Sequence, residues 1–396
     1  MAKIVVGLSG GVDSSVAAYL LKAQGHEVTA LFMINWHDTE GTLSGDCPWH
    51  DDVIFAELVA RKLDIPFKTV DLSEQYRARV VDYMFSEYEK GRTPNPDVLC
   101  NREVKFDVFM EEAFKLGAEF VATGHYCRKD IIETKNGKLY RLLAGTDPGK
   151  DQSYFLCQLN QQQLSKALFP IGHLLKPEVR KIAEAQGLVS SKKKDSQGIC
   201  FIGKVDLPVF LQQKLRTQDG IILEVDAEEE SYLPVITPEM SAEEKMKRWS
   251  KPYDFSGCKT RQVGKHNGCW FFTLGQRKGL QVGGREKPSF VIGIDVLHNI
   301  VYTGQGSDHR GLYHKALKIR NEEVHWIRPD LSIQPGDSLP CESRIRYRQP
   351  LQKATLYRTT EATYLVFEKP QKSITPGQFA SWYCGEELVG SGVIDG

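Results

Sequence analysis

Residues 9–15 read Ser-Gly-Gly-Val-Asp-Ser-Ser and lie between the apolar run Ile4–Leu8 and the helix-patterned run Val16–Leu21. Glycines let a bound group approach the backbone, and a helix start offers unpaired N–H groups at the positive end of its dipole. The combination suits an anion. The usual phosphate loop carries Lys beside Ser or Thr, whereas this turn has only Asp13. A carboxylate repels phosphate unless a divalent cation stands between them, so the turn is expected to hold a metal-complexed phosphate. The bland alternative is a capped strand-to-helix turn. A dinucleotide fingerprint is excluded, because the turn lacks G-x-G-x-x-G.

A second stretch, GRTPNPDVLCNREVKF, covers residues 91–106. Asn95 can cap a helix and Pro96 suits its first position, which puts Asp97 and Cys100 on one face of the first turns. A thiol near a helix start ionises more easily, while a neighbouring carboxylate opposes that, so Asp97 reads as a proton shuttle. A buried cysteine in a capped helix is the plainer reading. The third stretch, SSKKKDSQGICFIG, sets Cys200 after a glycine and the cluster Lys192-Lys193-Lys194. Lysines favour a thiolate or a bound sulfur anion, although a charge run is more often a solvated loop. Two such cysteines raise sulfur transfer ending in a Cys100–Cys200 disulfide, which requires Cα atoms within about 7 Å or a loop that moves.

Other groupings are weaker. His37, Asp46, Cys47, His50, Asp51 and Asp52 are scattered at spacings that match no zinc pattern. RIRYRQ is expected to place Arg344, Arg346 and Arg348 on one strand face and Tyr347 on the other, for phosphates and stacking or simply as a charged barrel face.

These residues need elements to hold them. Ile4–Leu8, Val28–Met33, Phe67–Val70 and Phe120–Thr123 read as strands separated by amphipathic helices, which predicts a doubly wound α/β fold with a parallel sheet. Ligands of such sheets sit beyond the carboxyl ends of the strands. Met33, to pack on a purine, and Gly124-His125-Tyr126, where Gly124 admits a ribose, should therefore share the crevice of the turn. Tyr76, Val80, Met84 and Tyr88 recur at helical spacing up to Gly91. Asn136-Gly137 predicts a hairpin with a type I′ turn, and Pro177 and Gly187 bracket a helix. The expected domains are 1–205, 206–303 and 304–396. The second contains a polar, aperiodic insertion near 224–264, and the last is a small antiparallel barrel.

Lys plus Arg equal Asp plus Glu at 51 each, so a basic face must be local. Nine cysteines without a C-x-x-C pair argue against a disulfide framework, a zinc ribbon or a cysteine-ligated cluster. MAKIVVG runs straight into a strand and no apolar run reaches the ~20 residues of a membrane span, so a cytoplasmic protein without membrane contact is expected.

Taken together, SGGVDSS, GRTPNPDVLCN, ATGHY, KDQSYFL, KKKDSQGICFIG, TLGQRKGL, RYRQ and TPGQ resemble, in the same order, the tRNA-specific 2-thiouridylases. The insertion is longer than in that pattern. The resemblance implies an N-type ATP pyrophosphatase domain, a small β-rich central domain and a C-terminal β-barrel gripping tRNA. It implies ATP at Gly7, Leu8, Ser9, Gly10, Gly11, Val12, Asp13, Ser14, Met33 and Gly124, with Mg2+ near Asp13. The target base would meet Asn95, Pro96 and Asp97, and tRNA would meet His125, Lys150, Asp151, Gln152, Arg346, Tyr347 and Gln378. The implied reaction adenylates the wobble uridine and brings sulfur from a persulfide on Cys200, charged by a sulfur-donor protein. Cys100 acts as nucleophile and Asp97 as acid or base. A monomer is expected. The rivals are a small-molecule synthetase working through an adenylate, a redox-responsive RNA-binding protein, and cluster-dependent cytidine thiolation, which the missing C-x-x-C disfavours.

Overall fold

The computed structural model describes residues 1–37, 49–135, 137–194 and 207–396. The alternating pattern becomes five parallel strands: β1 (Lys3–Gly7), β2 (Glu27–Ile34), β3 (Phe67–Asp71), β4 (Phe120–Ala122) and, after the hairpin β5 (Cys127–Thr134) and β6 (Gly137–Ala144), β7 (Ala167–Leu168). Their order is β3-β2-β1-β4-β7. Successive side chains alternate between two apolar layers. Val5, Leu31, Met33 and Val121 pack under the helical stretches 73–89 and 96–115. Ile4, Val6, Ala30, Phe32 and Ala122 pack under α1 (Val12–Ala23), His50–Lys62 and Lys176–Ala185. Each fully buried Val or Ile contributes about 1.5–3 kcal/mol, and having apolar residues on both faces is what forces helices onto both. Strand order switches direction at β1 and β4, so the crevice opens where Gly7 and Ala122 end their strands.

The stretch 96–115 is not a uniform helix: its turns widen over Cys100–Val108, and Phe106 departs to φ −106°, ψ 16°. Wide turns of this kind recur at functional sites, and this one begins on Cys100.

Two expectations change. Thr134 pairs with Gly137, so Gly137 begins β6 instead of lying in the turn, and Asn136 falls outside the described residues. The hairpin also leaves its own domain: β6 pairs with β18 of the C-terminal sheet through Leu143–Glu387 and Leu142–Leu388. Second, the insertion is not aperiodic throughout. It starts inside β8 (Gly220–Val225) and ends in β9 (Thr260–His266), which pair antiparallel. Between them stands the helix Ala242–Ser250, started by a reciprocal Ser241–Glu244 capping box.

The middle sheet is completed by β10 (Ser289–Asp295) and β11 (Ile300–Gln305) in the order β10-β11-β8-β9. The C-terminal strands are β12 (Tyr313–Arg320), β13 (Val324–Trp326), β14 (Ser338–Arg344), β15 (Gln352–Arg358), β16 (Ala362–Lys372), β17 (Phe379–Cys384) and β18 (Glu387–Val393). The sheet curls until Asp395 N–H reaches the Lys318 carbonyl at 2.9 Å. Among the described residues no helix is long and apolar enough to cross a membrane.

The insertion helix clamps this sheet. Met246 packs on Ala362 and Tyr364, Lys247 pairs with Glu361 at 2.8 Å, and Tyr253 stacks on His314 at 4.1 Å. Burial pushes the His314 imidazole down to about 4. A buried neutral histidine stabilises fully above its unfolded value near 6.5, and that contribution is lost as pH falls toward 4. Amide hydrogen exchange across 242–255, corrected for the base-catalysed intrinsic rate, should therefore accelerate between pH 6.5 and 4.5 in the wild type. The acceleration should be weaker in His314→Phe, and Met246→Ala should raise exchange there at every pH, through loss of about 2–4 kcal/mol of packing.

Candidate active site

The turn after β1 brings its backbone into the open and leaves the start of α1 uncapped. Gly10 sits at φ +72°, and a Cβ there would meet the Asp52 carbonyl oxygen at 2.2 Å. Gly11 caps α1 without any side-chain acceptor, leaving the first N–H groups to a ligand. Ser14 Oγ accepts from the Ser9 N–H at 3.2 Å and donates to the Gly11 carbonyl, which fixes the loop. A Cβ on Gly124 would stand 2.6 Å from the Ser14 nitrogen, so only glycine lets the end of β4 close on the start of α1. Gly124 thus serves this backbone approach. Met33 is 7% exposed and lies mostly within the core.

The cation missing from the loop comes from far along the chain. Lys176 Nζ donates to both Asp13 oxygens, at 2.8 and 2.9 Å, and Tyr126 Oη donates to Oδ1 at 2.7 Å. Lys176 is buried to 8% exposure at the first turn of Lys176–Ala185, where its N–H donates to Asp147. Sequence reading missed this residue; the only local signal was a lysine directly before the helix-opening Pro177.

The segment 93–97 is fastened by both other domains. Asn95 Oδ1 accepts the Val98 N–H at 3.2 Å and Pro96 takes the first helical position, as its sequence predicts. Gln378 accepts from Asn95 Nδ2 at 3.2 Å and donates to the Thr93 and Pro94 carbonyls at 2.9 and 3.0 Å. Thr93 N–H donates to Pro376, and its hydroxyl lies 3.2 Å from that of Thr273. Gln378 therefore braces the loop from the C-terminal domain. Asp97 is half-buried on this turn, and its carbonyl takes the Asn101 amide at 2.9 Å. Cys100 is fully buried one turn on. Cys200 lies outside the described residues, as do Asp46 and Cys47, so its pairing with Cys100 does too. In the lysine cluster, Lys193 pairs with Asp52 and lies over the Phe55 ring at 4.2 Å. His37 pairs with Asp71 at 2.8 Å and His50 stacks on Trp49.

Several residues expected to meet RNA face inward. Asp151 is 5% exposed; its Oδ1 accepts the Gly145 and Ser153 N–H groups, and Arg344 lies 3.0 Å from its Oδ2. His125 is buried against Phe106 and Phe169, bonds Thr123 Oγ1 at 2.8 Å, and is held well below the usual histidine range by desolvation, then by Lys105. Gln152 accepts the Tyr126 N–H at 3.0 Å, and Lys150 is half-buried beside it. RIRYRQ does not form a strand face. β14 stops at Arg344 and the chain bends, so the three arginines diverge: Arg344 turns inward, Arg346 donates to the Ser373 carbonyl at 2.7 Å, and Arg348 stays exposed. Tyr347 packs on Phe155 with ring centroids 4.2 Å apart and tilted by 33°. Burial raises the pKa of the Tyr347 phenol, and the Arg348 guanidinium opposes the rise.

Three protein-family models match the chain in order. They are described as tRNA methyl transferase HUP domain (residues 2–204), tRNA methyl transferase PRC-barrel domain (250–305) and aminomethyltransferase beta-barrel domain (316–394). β8 precedes the middle match yet joins β9 to β11. Two relatives that match over the full length are named tRNA-specific 2-thiouridylase MnmA. The one from Christiangramia forsetii is 60% identical and that from Flavobacterium johnsoniae 59%, each over 394 residues and 100% of both chains. Among solved structures, a 4-thiouridine synthetase–RNA complex with bound ATP covers 54% of this chain and 50% of its own, at 18% identity and TM-score 0.35, too slight to carry an argument.

The inward Asp151–Arg344 pair yields a double-mutant test. Removing one partner of a buried ion pair leaves an uncompensated charge and costs about 3–5 kcal/mol, whereas apolar replacement of both is often neutral. Arg344→Met alone should lower the denaturation midpoint sharply, and Asp151→Leu/Arg344→Met should recover most of it.

Proposed function

The chain belongs to the tRNA-specific 2-thiouridylases, sulfurtransferases that act on tRNA uridine, and from that premise we propose how its residues do so. ATP binds at the turn Gly7–Ser14, the target is the wobble uridine, and sulfur arrives as a persulfide on Cys200 from a donor protein. The observation that carries this reading is the bare N-terminal end of α1 with Lys176 drawn onto Asp13. Unpaired N–H groups and a buried ammonium together can neutralise the pyrophosphate that must leave. Asp13 offers one carboxylate beside two serines, and magnesium takes one or two carboxylates with substrate phosphates and water, so these residues fit an ion carried in on the nucleotide. Such an ion would add charge neutralisation on the phosphates.

The O2 oxygen of uridine is a poor leaving group. It attacks the α-phosphorus of ATP, the bond to the bridging oxygen breaks, and pyrophosphate departs with the former phosphoanhydride electron pair. The outer sulfur of the Cys200 persulfide adds at carbon 2 and AMP leaves. Cys100 then attacks Cys200 Sγ: a disulfide forms, the persulfide bond breaks, and the transferred sulfur keeps the electron pair as the thiocarbonyl. In a second route Cys100 reduces the persulfide first, and the released hydrogen sulfide attacks carbon 2 with the same electron count. Asp97, one turn before Cys100, accepts the thiol proton. The target base leaves its stack to be reached, and the braced segment Asn95-Pro96-Asp97 supports a fixed floor for it. Lys150, Gln152 and Arg346 are the remaining candidates for tRNA.

Incubation with ATP, magnesium, a sulfide source and unmodified tRNA should give oxygen-to-sulfur exchange in the anticodon nucleoside by mass spectrometry, with pyrophosphate release that depends on tRNA. Lys176→Ala should lower kcat/KM for ATP by about 10²–10³, the usual loss for one preorganised electrostatic group. Lys176→Arg should recover part of it. Cys200→Ser should abolish transfer from a persulfide donor. Pyrophosphate release without tRNA, or full activity in Cys200→Ser, refutes the reading.

A further inference from the structure

The middle domain carries an open concavity of about 640 Å³, lined by Arg277 and residues 279–289, that has no part in the chemistry above. Three cations, Arg277, Arg285 and Lys287, line it against the single carboxylate of Glu286. Arg277 and Lys287 are exposed, and their side chains make no hydrogen bond or ion pair among the described residues. Arg285 is held from behind: buried Glu224 lies 3.4 Å from its Nε, and the terminal nitrogens make no bond among the described residues. Leu280 and Val282 root the loop in the middle core.

The backbone is as unusual as the charge. Gly279, Gln281 and Gly284 have left-handed φ of +82°, +51° and +67°. Left-handed residues are one component of the concave N–H arrays that take anions. Lys278 and Gly279 form a hydrogen-bonded turn, and among the described residues no backbone N–H from Val282 to Glu286 donates to another protein group. Ser289 also lines the hollow, 8% exposed, with its Oγ unpartnered. Buried hydroxyls in folded proteins ordinarily have partners, so this donor set lacks its acceptor.

The loop starts at the target-base segment. Thr273 meets Thr93 hydroxyl to hydroxyl at 3.2 Å, and the Leu274 carbonyl faces Arg346 Nη2 at 3.5 Å. Arg277, four residues on, lies within about 14 Å of Thr273, a reach of a few nucleotides along one strand. We propose that the loop 277–289 is a phosphate cradle that holds the RNA backbone flanking the target uridine, with Arg277, Arg285 and Lys287 as its cations, the loop N–H groups and Ser289 as its donors, and Glu224 as the residue that positions Arg285. This rests on the chain acting on tRNA. The cradle reads no base; it sets the register that presents one nucleotide to Asn95-Pro96-Asp97.

The test measures full-length protein with unmodified tRNA at several salt concentrations, comparing wild type with Arg277→Ala/Lys287→Ala and with Arg285→Ala. Both replaced residues of the double variant are exposed, so folding is not at risk. Each phosphate contact removed should reduce the slope of log affinity against log salt by about 1. KM for tRNA should rise several-fold, with kcat and KM for ATP unchanged. Arg285→Lys should fall between Arg285→Ala and wild type. Unchanged slopes and KM values overturn the cradle. So does a defect seen only with a persulfide-donor protein and absent with free sulfide, which would make the hollow a docking site for that protein. Failure of the wild type to thiolate at all would instead sink the functional reading.

Discussion

A carboxylate beside the open end of a helix dipole would repel the anion that the same end attracts, so Asp13 requires a cation. Lys176 supplies it across 163 positions of chain, and the surroundings follow from holding that ammonium in place. Its own N–H is tied to Asp147, Tyr126 closes the third side of the carboxylate, and Gln152 fixes the Tyr126 backbone. A mobile lysine in water would screen Asp13 weakly. One buried against it is preorganised, so it can turn toward a phosphate without first shedding water.

The second constraint is that no domain completes the site alone. The first domain supplies the turn and the segment 93–97, but Gln378 and Pro376 hold that segment from the C-terminal side and Thr273 from the middle. The hairpin β5–β6 extends the C-terminal sheet, and Asp151 meets Arg344 where the two domains join. The apolar layer under β1 runs on into Ile327, Phe379, Tyr383 and Leu388 without a break. This shared core is the physical reason that several residues expected to meet RNA also hold protein partners. Asp151, His125 and Gln378 lie where domains or layers meet, and a buried polar group there must find a partner within the chain.

The same logic explains the other departures. RIRYRQ alternates like a strand, but β14 ends at Arg344 because that guanidinium is needed inward by Asp151, and the chain bends before Arg346. The stretch 226–259 looks aperiodic because only nine of its residues, Ala242–Ser250, are helical, and their apolar contact is essentially Met246 on a neighbouring domain. Periodicity reports burial within an element, and it is weak when an element buries a single side chain.

Sequence alone determined the parallel α/β sheet, the glycine turn into an open helix start, the Asn95 cap with Pro96 behind it, and through motif resemblance the family. Each of these is written in residues close together in the chain, where backbone preference and hydrophobic period act directly. Only the tertiary structure decided that Lys176 reaches Asp13, that Gln378 serves as a brace, and that Thr273, a few residues before the hollow, meets Thr93. Those depend on groups brought together from distant positions, and no local spacing encodes which buried charge will meet which.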